Sequence, residues 1–252
     1  MLQGSIVALV TPMRADGSID WEAHERLVRW HVESGTAGVV PMGTTGESAT
    51  LNTHEHLEVI SRTIEVANGR ISVVAGTGSN STEETLHQTK EAESLGADAC
   101  LLVTPYYNRP TQEGLYAHFK KVAETTSVPL VLYNVPGRTG CDLLPETIGR
   151  LSSIEGIVGI KEASGRIERV SEIRSVSASD FFILSGEDAL TLEMMNNGAV
   201  GTISVTANVL PKAMAEFCDS FLSGNIKRAS AIDEVLQSVH EILFIESNPT
   251  PA

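Results

Sequence analysis

The residue with the clearest chemical potential in this sequence is a lysine that closes an apolar run. Lys161 follows Ile157-Val158-Gly159-Ile160. An ammonium carried into such surroundings loses its hydration, which favours the neutral amine and leaves it able to attack a carbonyl. Taken alone, the position also suits a lysine that snorkels to water from a strand end. Its company argues for chemistry. Tyr106, Tyr107 and Tyr133, three of the four tyrosines in the chain, close apolar runs as well. A phenol there either finds a partner for its hydroxyl at the edge of a packed core or, hydrogen-bonded to a threonine such as Thr44, passes the protons that imine formation requires. Gly43-Thr44-Thr45-Gly46 opens a turn ahead of a helix and offers backbone N–H groups to a carboxylate without obstructing side chains. Arg138, flanked by Pro136, Gly137 and Gly140, is expected to have a non-helical backbone, and its guanidinium suits a second carboxylate through a bidentate contact.

Other chemistries find no support. His54-Glu55-His56 places two histidines at i and i+2, which point apart on a helix and make poor metal ligands. Gly76-Thr77-Gly78-Ser79-Asn80-Ser81 has serine where a dinucleotide fingerprint needs its third glycine. There is no G-x-S-x-G elbow, and Cys100, Cys141 and Cys218 form no C-x-x-C pair. A site without metal or cofactor is the expectation. Net charge is −14 and the isoelectric point about 4.9, so there is little material for the basic face that nucleic acid would demand. A carboxylate substrate must then be drawn in by a few local cations.

These residues need a scaffold that brings strand ends together. Eight short β-rich apolar runs recur, at 5–10, 37–42, 71–76, 97–103, 129–134, 157–161, 181–185 and 199–204, with helix-period stretches such as 21–34, 55–67, 83–95 and 113–125 between them. Start signals precede several helices: Thr82, Thr111 and Pro145. Near-continuous apolar strands belong in a parallel sheet buried on both faces, and eight βα units in 252 residues point to a closed α/β barrel, a (β/α)8 TIM barrel, over an open doubly wound sheet. The C-terminal ends of its strands would deliver the Gly43 turn, Thr104-Pro105-Tyr106-Tyr107, Tyr133, Arg138, Lys161 and Gly186-Glu187 to one mouth. Residues 210–222 read as the last barrel helix. A further helix over 226–245, with Ile232, Val235, Val239 and Ile242 on one face, ends in a proline-rich turn. The division expected is a catalytic barrel over 1–224 and, over 225–252, an incomplete C-terminal helical extension. No signal-type segment or bilayer-length apolar stretch is visible, and a cytoplasmic, soluble protein with no membrane partner is expected.

Several of these motifs, in this order, resemble the dihydrodipicolinate synthase/N-acetylneuraminate lyase family: Gly43-Thr44-Thr45-Gly46-Glu47, Tyr133-Asn134-Val135-Pro136-Gly137-Arg138-Thr139-Gly140 and Lys161-Glu162-Ala163. Tyr106-Tyr107-Asn108-Arg109-Pro110 and Ser204-Val205-Thr206-Ala207-Asn208 are similar to its synthase branch, and the likeness runs from the first strand to about Pro249. The resemblance implies a (β/α)8 barrel that condenses pyruvate with aspartate-4-semialdehyde. It implies that Lys161 forms an imine with pyruvate, that Tyr133 moves protons through Thr44 and Tyr107, and that Tyr107 comes from a neighbouring subunit of a homodimer or homotetramer. Thr44 and Thr45 amides would hold the pyruvate carboxylate, Arg138 the semialdehyde carboxylate, and the Gly186 and Ile203 carbonyls would line the pocket. An inhibitory lysine would meet Ser48, Ala49, His56, Asn80, Glu84 and Tyr106, although Thr53 stands where feedback-sensitive members carry histidine. Relatives continue past the Asn-Pro-x-Pro turn into further helices, so a C-terminally truncated chain is also implied. The alternatives are a sibling lyase acting on a sugar acid, or a catalytically impaired remnant.

Overall fold

Apolar strands buried on both faces leave no solvated edge to terminate a sheet, and the sheet here ends by closing on itself. A computed structural model describes residues 2–252. Its strands are β1 (Gly4–Ala8), β2 (Gly38–Val40), β3 (Ser72–Gly76), β4 (Ala99–Val103), β5 (Leu130–Asn134), β6 (Ile157–Glu162), β7 (Phe182–Ser185) and β8 (Gly201–Ser204). They form one closed barrel in sequence order, parallel throughout, with β8 returning to β1 through Ile6↔Ile203. The (β/α)8 expectation holds, and each strand overlies one of the eight apolar runs, most of them trimmed at one end and β6 extended to Glu162.

Side chains alternate between two cores. Inside the barrel lie Ile6, Val40, Val74, Leu101, Val131, Tyr133, Phe182, Leu184 and Ile203. Outside it, Val7, Val39, Val73, Cys100, Leu132, Ile160 and Ile183 face the helices. Gly159 has no side chain because the Phe182 ring occupies that space; a Cβ there would lie 2.4 Å from it. The barrel floor beneath Lys161 is thus filled by an aromatic ring.

The outer layer comprises α1 (Trp21–Glu33), α2 (Thr53–Ala67), α3 (Thr82–Leu95), α4 (Gln112–Ala123), α5 (Pro136–Thr139), α6 (Pro145–Leu151), α7 (Glu168–Val176), α8 (Thr191–Asn196) and α9 (Pro211–Leu222). Caps explain their starts. Asn52 and Glu55 make a reciprocal capping box on α2. Thr111 caps α4 as expected, and Pro145 sits in the first turn of α6. For α3 the cap is Ser81, whose hydroxyl accepts from the Glu84 N–H, and Thr82 is already helical.

A tenth helix, α10 (Ile226–Ile242), packs on α9 and turns Ala229, Leu236 and His240 inward. It ends three residues before the boundary expected from its periodicity. Val235 (74% exposed) and Ile242 are left facing solvent, because the buried stripe runs through 229, 236 and 240. The following residues then return to the barrel mouth. No helix among the described residues is long and apolar enough to cross a membrane.

Buried histidines tie the outer layer together through threonines. His24 bonds Thr63 at 2.9 Å between α1 and α2, and His118 bonds Thr82 at 2.8 Å between α4 and α3. His31 bonds Thr36 at 3.1 Å. The second ring nitrogen of each has no partner among the described residues. Burial lowers the pKa of all three from 6.5 to about 4. Because the folded value lies below the unfolded one, their contribution is complete above pH 6.5 and is lost as pH falls towards 4, on the order of 3 kcal/mol per ring. Denaturant titrations at pH 7 and pH 5 are expected to show a clear loss of unfolding free energy at the lower pH. His118→Gln, which cannot take up that proton, should make the loss smaller.

Candidate functional site

Strand register decides which side chains meet at the mouth. Tyr133 on β5 is paired with Lys161 on β6, and Lys161 with Leu184 on β7. Tyr133 and Leu184 point into the barrel, so Lys161 does too. The lysine is 6% exposed, and its Nζ lies 4.4 Å from the centre of the Tyr133 ring. Gly186, just past β7, makes this possible: a Cβ there would lie 2.9 Å from Lys161 Cε and 2.7 Å from Ala163 Cβ. Glu187, the next residue, has its carboxyl raised above its ordinary value by burial, with the nearby Lys161 pulling in the opposite direction.

The turn after β2 presents unpaired backbone groups at the mouth. Its backbone is held in the left-handed region at both ends, at Met42 (φ 57°) and Glu47 (φ 58°), which are unfavourable for side chains of this kind. Gly76 at the end of β3 lets the turn settle into the mouth, since a Cβ there would lie 2.2 Å from the Met42 carbonyl oxygen. Within the turn Gly46 and Glu47 donate back to Gly43 and Thr44, whereas the Thr44 and Thr45 N–H groups make no hydrogen bond among the described residues. Two adjacent free amides are what a carboxylate requires.

Arg138 lies in the single helical turn of α5, which corrects the expectation of a non-helical backbone. Pro136 fits the first helical position, and Gly140 at φ 74° ends the turn after one revolution. Sequence reasoning missed Asn248. Its side-chain amide donates to Thr45 Oγ1 at 2.9 Å, and its carbonyl accepts from Arg138 Nη2 at 3.2 Å. Asn248 is 6% exposed, and its Oδ1 is buried without a partner. The only signal in the sequence was the Asn248-Pro249-Thr250-Pro251 turn, which marks a chain reversal without saying where it docks.

A cavity of about 660 Å³ opens here, walled by Thr44, Tyr133 and Arg138 together with Ser48, Ala49, His56, Glu84 and Tyr106. Lys161, Gly186 and Ile203 are outside its wall; the Lys161 amine lies against the ring of Tyr133, which is part of that wall. His56 Nε2 donates to the Gly76 carbonyl at 2.7 Å, and Glu84 accepts from Ser79 at 2.6 Å. Asn80 does not line the cavity, and its carbonyl accepts from Asn108. Thr45 is buried in the turn and Ile203 inside the barrel. Tyr107 stands apart at 89% exposed and φ 70°, with its N–H on the Thr139 carbonyl. One chain therefore brings together Lys161, Tyr133, Thr44 and Arg138 but leaves Tyr107 outside. Among the described residues no group of acidic, histidine or cysteine side chains is arranged to hold a metal.

The sequence model of the dihydrodipicolinate synthetase family matches residues 1–252. The 4-hydroxy-tetrahydrodipicolinate synthase of Alcanivorax borkumensis is 56% identical over 251 residues, spanning 100% of this chain and 85% of that protein. That of Pseudomonas aeruginosa is 53% identical over 251 residues, covering 100% and 86%. The crystal structure of a chloride-inhibited dihydrodipicolinate synthase from Acinetobacter baumannii, complexed with pyruvate, superposes with a TM-score of 0.98 at 52% identity, covering 100% of this chain and 86% of that one. A dihydrodipicolinate synthase from Cyanidioschyzon merolae with lysine bound superposes at 0.94 and 38% identity, covering 98% and 85%.

Space at Gly186 is the most direct test of this geometry. Gly186→Ala is expected to push Lys161 off its place beside Tyr133 and to slow its capture of a small keto acid by about tenfold or more. Borohydride trapping followed by intact mass reads the rate; unchanged trapping would show that the lysine does not depend on this gap.

Proposed function

This chain belongs to the dihydrodipicolinate synthetase family, and from that membership we propose how its residues divide the work. The activity is that of a lysine Schiff-base lyase: pyruvate condenses with aspartate-4-semialdehyde to give 4-hydroxy-tetrahydrodipicolinate, the entry to diaminopimelate and lysine. The observation that carries the assignment of roles is a buried lysine amine stacked on a tyrosine ring, next to a turn with two free amides.

In this reading pyruvate enters the cavity with its carboxylate on the Thr44 and Thr45 amides. The Lys161 amine adds to the C2 carbonyl, water leaves, and an iminium forms. Loss of a proton from C3 gives the enamine, which attacks the aldehyde carbon of the semialdehyde. The acceptor's own amine then displaces Lys161 and closes the ring. Each step moves a proton, and in this reading Tyr133 carries it through Thr44 and Tyr107. Arg138 binds the semialdehyde carboxylate, and Asn248 keeps the guanidinium over the mouth by accepting one of its N–H bonds. The Gly186 and Ile203 carbonyls complete the pocket. Residues 1–224 form the catalytic barrel, and residues 225–252 form an extension that returns Asn248 to it.

The exposed Tyr107 fits a homodimer or homotetramer in which it completes the relay in a neighbouring protomer. Lysine fits the cavity walled by Ser48, Ala49, His56, Glu84 and Tyr106, with Glu84 pairing its amine and Asn80 close behind. Feedback inhibition follows, since this cavity shares the 43–49 turn with the pyruvate site.

Incubation with pyruvate and borohydride should leave an adduct on the peptide containing Lys161, and Lys161→Arg should abolish it. An unmodified wild-type chain would sink the reading. Arg138→Ala should leave that trapping intact while raising KM for the semialdehyde roughly thirtyfold in a coupled assay. Millimolar lysine should lower the same rate, and Glu84→Gln should relieve the inhibition.

A further inference from the structure

Behind the Lys161–Tyr133 pair, on the other face of the same two strands, lies a polar chain, buried at Asn134 and Glu162 and half-buried at Asp142, that the reaction does not touch. We infer that Glu162, Asn134 and Asp142 form a positioning device that sets the geometry of Lys161 and Tyr133 from outside the barrel. The inference rests on the functional reading above.

Alternation puts the next residue of each strand on the outer face. The strand register pairs Asn134 with Glu162 just as it pairs Tyr133 with Lys161. Both outer residues are fully buried. One amide group of Asn134 joins the set: Nδ2 donates to Glu162 Oε2 at 3.1 Å and to Asp142 Oδ1 at 2.8 Å. Its Oδ1 accepts from the Leu143 N–H at 2.9 Å. Asp142 in turn is held by both terminal nitrogens of Arg169, at 3.0 and 2.9 Å, and Arg169 is only 2% exposed. Glu162 Oε1 accepts from the Ser164 N–H at 2.7 Å, and its carbonyl accepts from the Gly186 N–H at 2.8 Å. Gly186 is the residue that leaves room for Lys161.

A carboxylate in this position is costly. Glu162 has no ion-pair partner among the described residues, and burial raises its pKa. An apolar side chain would fill the place at lower cost, so what the carboxylate provides is direction. It must accept at both oxygens, one from the turn that follows Lys161 and one from the residue that follows Tyr133. An amide in its place sets a donor against a donor whichever way it is turned. Relaxing that contact lets β5 and β6 shift relative to each other, and a displacement of a fraction of an ångström is enough to slow proton transfer.

Glu162→Gln is the test, with borohydride trapping of pyruvate used to count competent sites and a coupled condensation assay used to measure turnover per trapped site. The expected result is turnover per trapped site lower by about tenfold or more, with KM for the semialdehyde within about twofold of wild type, because Arg138 is untouched. A merely structural role would reduce the number of trapped sites and the melting temperature while leaving turnover per trapped site unchanged, and that result would overturn the inference. Asn134→Ser removes the bridging amide at smaller volume and serves as the second variant should Glu162→Gln not fold. Wild-type chain that fails to trap pyruvate at Lys161 would remove the functional reading and this inference together; wild type that traps normally while both variants turn over normally would remove only this one.

Discussion

The pairing of Tyr133 with Lys161 across β5 and β6 is the constraint on which the site depends. A one-residue slip of β6 against β5 would send Lys161 to the helix layer and bring Glu162 inside. The fold makes the slip expensive. Ile160 would leave the outer core, and the equivalent slip of β5 would take Leu130 and Leu132 out of the outer core and Val131 and Tyr133 out of the inner one. Hydrophobic sorting therefore fixes the Lys161 amine as firmly as it fixes any core leucine. The glycines at 159 and 186 then supply the space, one for the Phe182 ring below and one for the lysine stem itself.

Much of this was legible because period and composition carry it. Eight apolar runs with helices between them specify the barrel, and a lysine closing one run specifies an amine at its mouth. The Thr44–Thr45 turn was visible as glycines flanking two small polar residues, and its free amides are found in the structure. Local signals were weaker guides where several compete. Proline and glycine around Arg138 suggested an irregular loop, yet the same residues at first and last positions define one helical turn. In α10 a regular apolar stripe was real, but another stripe with small and polar members faces the barrel, since close packing on α9 selects Ala229 as well as leucine.

Contacts between residues far apart in sequence were invisible. Nothing local to Asn248 indicates Thr45 or Arg138, and nothing local to Asn134 indicates Asp142 and Arg169. Such bonds form because the barrel brings strand ends and returning segments to one place, and single-sequence periodicity has no access to that geometry. Tyr107 shows the opposite situation. Its type and position were plain, but a single chain leaves its ring in water.

The order in which the chain is made has a bearing on the site. Lys161 and Tyr133 are both translated well before β8 pairs with β1, and Asn248 follows later still. Until that strand arrives, the barrel has an open seam and its amine lies in a wet, unclosed half-shell. Long-range closures of this kind are slow steps in folding. The nascent polypeptide thus carries the Lys161 amine before the enclosure around it exists, and that enclosure is completed only by β8 and by the segment that returns Asn248 to Thr45.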